Sequence, residues 1–378
     1  MERDSAVSNV FIDKFMNAFP YEGLTFDDVS LVTQYADFLP DETDISSRFS
    51  RNIDLKIPFV SAAMDTVTES GMAIAIAMLG GIGVIHKNLD PEQQAAEVSR
   101  VKHYLNGLIT DPVVFPKSIK VSQLLAEKER HNYQFAGFPI VDETGRLAGI
   151  LTARDMKFLA DFEVTVEEAM TADLIVGQEG TSTSEAYDIM MAHRVGKLPI
   201  VDSDYRLIGL YSLHDVRTLA NNVKPAFNRD AQHRLRVAAA VGPHDDARIE
   251  ALVRAGVDAL VIDTAHGHSA GVLDALKYLK GNTAVDVVAG NVGTGEGAKA
   301  LLDAGADAVK VGIGPGSICT TRVVAGVGIP QLTAVYQARK AVGDEIPVIS
   351  DGGIKFSGDV AKGVAVGASC VMMGSVLA

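Results

Sequence analysis

"AGVDALVID" (residues 255–263), "AGADAVKVG" (304–312) and "VGASCVMMG" (366–374) are one phrase written three times. Each leaves a helix-period segment, passes a glycine suited to the left-handed turn that ends a helix, and enters a short apolar run. A repeated helix-to-strand unit specifies an α/β chain. Doubly wound sheets use the same unit, so the phrase alone leaves barrel closure open.

Working outward, Val, Ile and Ala-rich runs that end in Gly, Asp or Asn recur near Phe59, Val84, Ala239, Val261, Val288, Val309, Ile349 and Met372. Continuous apolar runs of this kind are how buried parallel strands read. Eight of them match the strand number of a TIM (β/α)8 barrel, and 378 residues suit a barrel of roughly 250 residues carrying an insertion. The last run ends at "GSVLA", so the expectation is a barrel lacking its last helix, with the apolar outer face of its eighth strand uncovered and stability correspondingly poor.

A hydrophobic share of 47% with 22% charged residues indicates a well-packed globular protein. The formal net charge of −14 offers no field for a nucleic-acid backbone or an anionic membrane, so an anionic ligand must be held locally. Two cysteines make no disulfide framework, no signal peptide opens the chain, and glycines interrupt the longest apolar stretch. A cytoplasmic enzyme is the expectation, with neither nucleic acid nor membrane as partner.

The segment 108–220 reads differently from the flanking barrel parts, 1–107 and 221–378. "FPIVDETGRLAGILTARD" from Phe138 is repeated as "LPIVDSDYRLIGLYSLHD" from Leu198 at one constant offset, Asp142 answering to Asp202 and Asp155 to Asp215. Two ligand-free core hairpins would satisfy the periodicity. The paired endings "TARD" and "SLHD" add something: an Asp three residues after a hydroxyl can accept from ribose hydroxyls, while the upstream hydroxyl caps a helix and meets a phosphate. Thr152, Asp155, Ser212 and Asp215 are therefore the candidate nucleotide ligands. These residues resemble the paired cystathionine-β-synthase-type (Bateman) modules, which implies regulatory adenine or guanine nucleotides.

Strand C-terminal ends supply the site of a barrel, and here they are polar: Asp263, Asn291, the stretch after Val311, "SDGGI" and "MGS". The glycines of Asp351–Gly352–Gly353 and of Gly374–Ser375 follow strands seven and eight, where many barrels bind phosphate through backbone amides and hydroxyls. Asp351 would repel phosphate but suits ribose hydroxyls. A nucleoside monophosphate satisfies both.

Of the two cysteines, Cys370 lies within an apolar strand and reads as packing. Cys319, in "GIGPGSICTTR" (312–322), sits on a glycine-rich loop among Ser317, Thr320 and Thr321, which suits a nucleophilic thiolate that moves towards substrate.

"SAAMDTVTE", "GGIGVIHKN", "AGNV", "GIGPGSICTTR", "SDGGI" and "VMMGS", with a duplicated insertion after the second strand, resemble the bacterial inosine-5′-monophosphate dehydrogenases from about Tyr21 to Ala378. The resemblance implies that Cys319 adds to C2 of IMP, that hydride passes to NAD, and that the resulting thioimidate is hydrolysed to XMP. It further implies that Ser317, Gly352, Gly353, Gly374 and Ser375 hold the phosphate, Asp351 the ribose, and Met64 the base. Asp263 would take the NAD ribose, with Asn291, Gly312, Ile313 and Gly314 beside the nicotinamide. K+ would sit on the carbonyls of Gly314, Gly316 and Cys319, and Thr321 would help activate water. Homotetramers follow from the family, with octamers when nucleotide binds the insertion.

The family is expected to continue past the eighth strand with a helix and a flap carrying the hydrolytic base, so little steady-state turnover is expected of this chain. Guanosine-monophosphate reductase shares the "GIGPGS" loop but is expected to lack the insertion. A catalytically silent nucleotide sensor is the rival from another class.

Overall fold

The computed structural model describes residues 23–378 apart from 105–107, 110, 132, 134, 136, 222–226 and 233. Tyr21 and Gly107, which bound features expected from the sequence, lie outside the described residues. The chain divides into two compact units, one of residues 1–102, 226–228 and 235–378, the other of 103–225 and 229–234.

In the first unit an antiparallel hairpin of β1 (Ser47–Ser50) and β2 (Ile53–Leu55) precedes β3 (Phe59–Ser61) and β4 (Ile82–Ile85). The second unit contributes β5 (Phe115–Pro116), β6 (Gly137–Val141), β7 (Leu147–Thr152), β8 (Gly177–Gln178), β9 (Lys197–Val201) and β10 (Leu207–Ser212). The first unit resumes with β11 (Ala238–Val241), β12 (Ala259–Asp263), β13 (Asp286–Val292), β14 (Ala308–Val311), β15 (Val348–Asp351) and β16 (Cys370–Met373). Strands β3, β4 and β11 to β16 pair in parallel and close, β4 on β11 and β16 on β3. The eight runs expected from the sequence are thus the eight strands of a closed barrel.

Strand periodicity of two sorts their residues onto two faces. Val60, Ala62, Ile82, Val84, Ala238, Ala240, Ala259, Val261, Val288, Ala308, Ile349, Cys370 and Met372 fill the interior. Their sequence neighbours Ala239, Leu260, Ile262, Val287, Val309 and Val348 face outward onto helices that include Asp246–Arg254, Gly295–Asp303 and Gln331–Val342. Phe49, Ile53 and Leu55 of the hairpin join the interior cluster. Ser50 Oγ, Asn52 N and Asn52 Nδ2 donate to the Asp286 carboxylate at 2.6, 3.0 and 2.8 Å, latching the hairpin to the start of β13.

The outer face of β16 departs from expectation. No helix follows β16 among the described residues, yet outward-facing Val371 is 0% exposed. It packs with Phe26, Leu332 and Ile354, so a segment from the start of the chain covers the apolar face expected to lie open. Lys362 Nζ donates to the Phe26 carbonyl at 2.8 Å, tying this segment to the helix Ser357–Ala365.

The second unit holds two three-stranded sheets, β5-β6-β7 and β10-β9-β8. Hairpins β6/β7 and β9/β10 are superposable in register: each has its irregularity before the residue that pairs with Leu147 or Leu207, and Asp142 and Asp202 accept from Arg146 N and Arg206 N at 3.0 and 2.8 Å. Arg146 and Arg206, equivalent positions of the two repeats, form a bridge between them.

Removing the Phe26 ring should cost the barrel about 3 kcal/mol. Urea melts of Phe26→Ala against the parent chain would measure this, and a loss under about 1 kcal/mol would show that the neighbouring helix suffices to cover Val371.

Candidate active site

The inward parity of the strands carries past their ends. Asp263, Lys310 and Asp351 continue the inward rows of β12, β14 and β15 and meet at the barrel mouth. Lys310 Nζ donates to Asp263 Oδ1 and Asp351 Oδ2 at 2.8 Å each, and to Asn291 Oδ1. Asn291 Nδ2 donates to Asp351 Oδ2 and to the Gly312 carbonyl, both at 2.8 Å. Lys87 Nζ reaches the Asp263 carbonyl at 2.7 Å. Burial pushes the Asp263 carboxyl up, but Lys310 and Lys87 outweigh it and hold the group below the usual carboxylate range.

Two glycines are demanded by this packing. A Cβ on Gly290 would lie 2.6 Å from the Lys310 carbonyl oxygen, and one on Gly312 would lie 2.1 Å from that of Asp351. Gln331, almost wholly buried, clasps the same strand ends by donating to the carbonyls of Val311 and Asp351 at 2.8 and 3.2 Å.

Beside this cluster, Met64, Ser317, Asp351, Gly352, Gly353, Gly374 and Ser375 line a single cleft of about 120 Å3. All the residues singled out for substrate from the sequence therefore lie together. Gly352 and Gly353 have φ of 88° and 81°, a left-handed pair of the kind that turns successive amides towards one point. Ser317 Oγ and Ser375 Oγ are 3.0 Å apart, joining the loop after β14 to the end of β16.

Cys319 is half-buried on that loop, its N–H donating to the Gly316 carbonyl at 3.1 Å. The Thr321 hydroxyl lies 3.2 Å from Sγ. Hydrogen bonds from the Thr321 side chain and backbone, against a small cost of burial, hold the Cys319 thiol below its ordinary range, helped by Gly314 and Arg322. Cys370 is the opposite case, a fully buried interior residue whose thiol burial pushes up. Ile313 is buried, its carbonyl accepting from Ile329 N at 3.1 Å, and Gly314 faces the Arg322 side chain.

In the second unit the two candidate nucleotide sites differ. Ser212 and Asp215 are buried beside a cavity of about 190 Å3 that Asp111, Gly137 and Lys197 also line. Burial pushes the Asp215 carboxyl up to about 6, against the opposing pull of Lys197, His214 and Arg229. Asp155, in contrast, is engaged locally: it accepts from Thr152 Oγ1 and N at 2.6 and 2.7 Å and from Thr171 Oγ1 at 3.1 Å.

Lys310, Lys87 and Gln331 were not singled out in the sequence. The available signal was a lysine at an inward position of the otherwise apolar "AVKV". Among the described residues no group of three or more His, Cys, Asp or Glu side chains could hold a metal ion. No helix of the described residues is long and apolar enough to cross a membrane.

Residues 23–378 match the family described as IMP dehydrogenase / GMP reductase domain. Inosine-5′-monophosphate dehydrogenase of Aquifex aeolicus is 50% identical over 364 residues, covering 94% of this chain and 74% of that protein. The Helicobacter pylori (strain J99) enzyme of the same name is 50% identical over 359 residues, covering 94% and 73%. Among solved structures, a cysteine-to-alanine variant of GMP reductase from Trypanosoma brucei in complex with guanosine 5′-monophosphate has a TM-score of 0.82 at 38% identity, covering 96% of this chain and 78% of that one. A second, GMP reductase from the same organism in complex with guanosine 5′-triphosphate, also has a TM-score of 0.82 and covers 96% and 88%. Coverage of 96% of this chain is impossible without matching the insertion, so the expected lack of an insertion in reductases does not separate the two activities; the higher identity to dehydrogenases does. With its closed barrel, its polar strand ends and these relatives, the chain belongs to the IMP dehydrogenase / GMP reductase family and is an oxidoreductase of the bacterial IMP dehydrogenase type.

Proposed function

We propose that the chain oxidises IMP to XMP with NAD through a covalent Cys319 adduct, in guanine nucleotide synthesis. The observation that carries this is Cys319 beside Thr321, on the loop whose Ser317 lines the same cleft as Asp351, Gly353 and Ser375. Sγ adds to C2 of the purine, which turns an aromatic C–H into a tetrahedral hydride donor. NAD, when bound, supplies the hydride acceptor. Loss of hydride leaves a thioimidate between Cys319 and the base, and water then releases XMP and the free thiol. The Thr321 hydroxyl stands next to the sulfur, where a water attacking that thioimidate would pass, which supports its role in directing it.

Gly352, Gly353, Gly374, Ser317 and Ser375 present amides and hydroxyls to the phosphate of IMP, and Asp351 accepts from its ribose. Asp263, held ionised, accepts from the ribose of NAD, with Asn291, Gly312, Ile313 and Gly314 nearby. The carbonyls of Gly314, Gly316 and Cys319 are neutral oxygen donors on one short loop, a donor set that fits K+; that of Gly316 also closes a turn with Cys319 N–H. The insertion is assigned as a Bateman pair for adenine or guanine nucleotides, with Ser212 and Asp215 at its open cleft and Thr152 and Asp155 at the second site. A homotetramer, octameric with nucleotide bound, and a cytoplasmic location complete the proposal.

Mixing the chain with IMP and NAD should give an NADH burst of about one equivalent per Cys319, a readout independent of hydrolysis. Cys319→Ala should give none; NADPH consumption with GMP in place of that burst would establish the reductase reading instead.

Iodoacetamide should alkylate Cys319 and spare Cys370 in the native chain. The pH midpoint of the Cys319 rate should fall below about 8.5, and Thr321→Val should move it up towards that value.

Ionisation of Asp215 is opposed by folding, so the second unit should lose stability as pH rises from about 4 to about 6, where the unfolded carboxyl is ionised and the folded one is not. Thermal melts across that range should show the slope, and Asp215→Asn should flatten it.

A further inference from the structure

We propose that Lys310 is a positioning residue shared by the substrate and cofactor sites, its one ammonium fixing Asp351 and Asp263 together as ionised carboxylates across the barrel mouth. The inference rests on the assignment of those two carboxylates to the riboses of IMP and NAD. Lys310 itself is 3% exposed and lies beneath the site, so it acts through the carboxylates and touches neither ligand.

The geometry leaves little alternative for this side chain. Lys310 projects inward from β14, which lies between β13 and β15, and the three polar groups it meets stand at the C-terminal ends of β12, β13 and β15. Its three protons go to Asp263 Oδ1, Asp351 Oδ2 and Asn291 Oδ1, which matches the donor capacity of an ammonium. Gly290 on the adjoining strand lets the β14 backbone approach closely at this level, since a Cβ there would lie 2.6 Å from the Lys310 carbonyl oxygen and 2.7 Å from its Cβ. A purely structural barrel interior takes Val, Ile or Leu at such positions.

Two carboxylates that each contact the same nitrogen lie close enough to repel, and both are mostly withdrawn from water, with side chains 30% and 20% exposed. Without a cation between them their mutual repulsion would favour proton uptake by one of the pair. A protonated carboxyl accepts poorly from the vicinal hydroxyls of a ribose. Among the described residues Lys87 also faces this cluster: its hydrogen bond goes to the Asp263 main-chain carbonyl, and its charge helps Lys310 to hold the Asp263 carboxyl down. Asn291 contributes no charge but spans Asp351 and Lys310. Burial works against the lysine's own charge, yet Asp351 and Asp263 together raise its pKa above the ordinary lysine value, so the bridge persists through the whole neutral range.

The test is IMP binding to the full chain by calorimetric titration at pH 6.0 and 8.5, for the parent, Lys310→Met and Lys310→Arg. The ratio of variant to parent Kd cancels the titration of the IMP phosphate. For Lys310→Met the ratio should be larger at pH 6.0 than at pH 8.5, by up to several-fold, because loss of the opposite charge lifts a carboxyl pKa by about 1–3 units. Lys310→Arg, which keeps the charge, should show a ratio that does not change with pH. A ratio for Lys310→Met that is the same at both pH values overturns the proposal and leaves the lysine a structural role. Where Lys310→Met fails to fold, a pH-dependent ratio in Lys310→Arg overturns it equally. A parent chain that does not bind IMP refutes the functional assignment itself, and the proposal with it, before any variant is compared.

Discussion

Barrel closure imposes a parity on eight strands at once, and the site is a consequence of that parity. Because successive residues alternate faces, fixing Val261, Ala308 and Ile349 in the interior also fixes Asp263, Lys310 and Asp351 two residues later at the mouth. A slip of one residue in β14 would place Lys310 among the outer helices and Val309 at the barrel mouth. The apolar layers below therefore do more than stabilise: they set which side chains stand at the barrel mouth. The hairpin β1/β2 supports this from the other end, closing the barrel floor with Phe49 and anchoring to Asp286.

The strand runs and the repeated helix-to-strand phrase were legible because each is local. So was the clustering of Ser317, Asp351, Gly353, Gly374 and Ser375, since barrels bring strand C-terminal ends together whatever the details of packing. Lys310 was not legible, because "AVKV" looks like a strand with one exposed lysine until closure decides that its parity points inward. The covering of Val371 was hidden for another reason. Phe26 precedes the first barrel strand and Val371 lies in the last, so no local pattern joins them.

An acidic chain handling an anionic nucleotide has to separate two electrostatic tasks. In the proposed complex the phosphate end would be met by amides and hydroxyls of Gly352, Gly353, Ser317 and Ser375, which line one cleft and offer dipoles rather than a free cation. On the same proposal the ribose end would be met by carboxylates, which repel each other at close range. One buried lysine, donating to both Asp263 and Asp351, sets a positive charge between them without adding it to the surface.

The duplicated insertion shows how far geometry and chemistry can part. The two equivalent hairpins keep register, turn and even their mutual bridge at Arg146 and Arg206, since these are set by backbone hydrogen bonding. The side chains around the two aspartates have diverged: Gly137 in one repeat stands where Lys197 stands in the other, and Thr171 corresponds to Asp111. Thr171 satisfies Asp155 from within, whereas Asp215 faces a cavity with Lys197 and Asp111 on its walls. Equal backbones thus present one carboxylate already hydrogen-bonded by the chain and one whose ionisation burial opposes. A ligand's hydroxyls would have to displace Thr152 and Thr171 at the first site, but at the second they would meet a carboxyl whose ionisation they themselves favour.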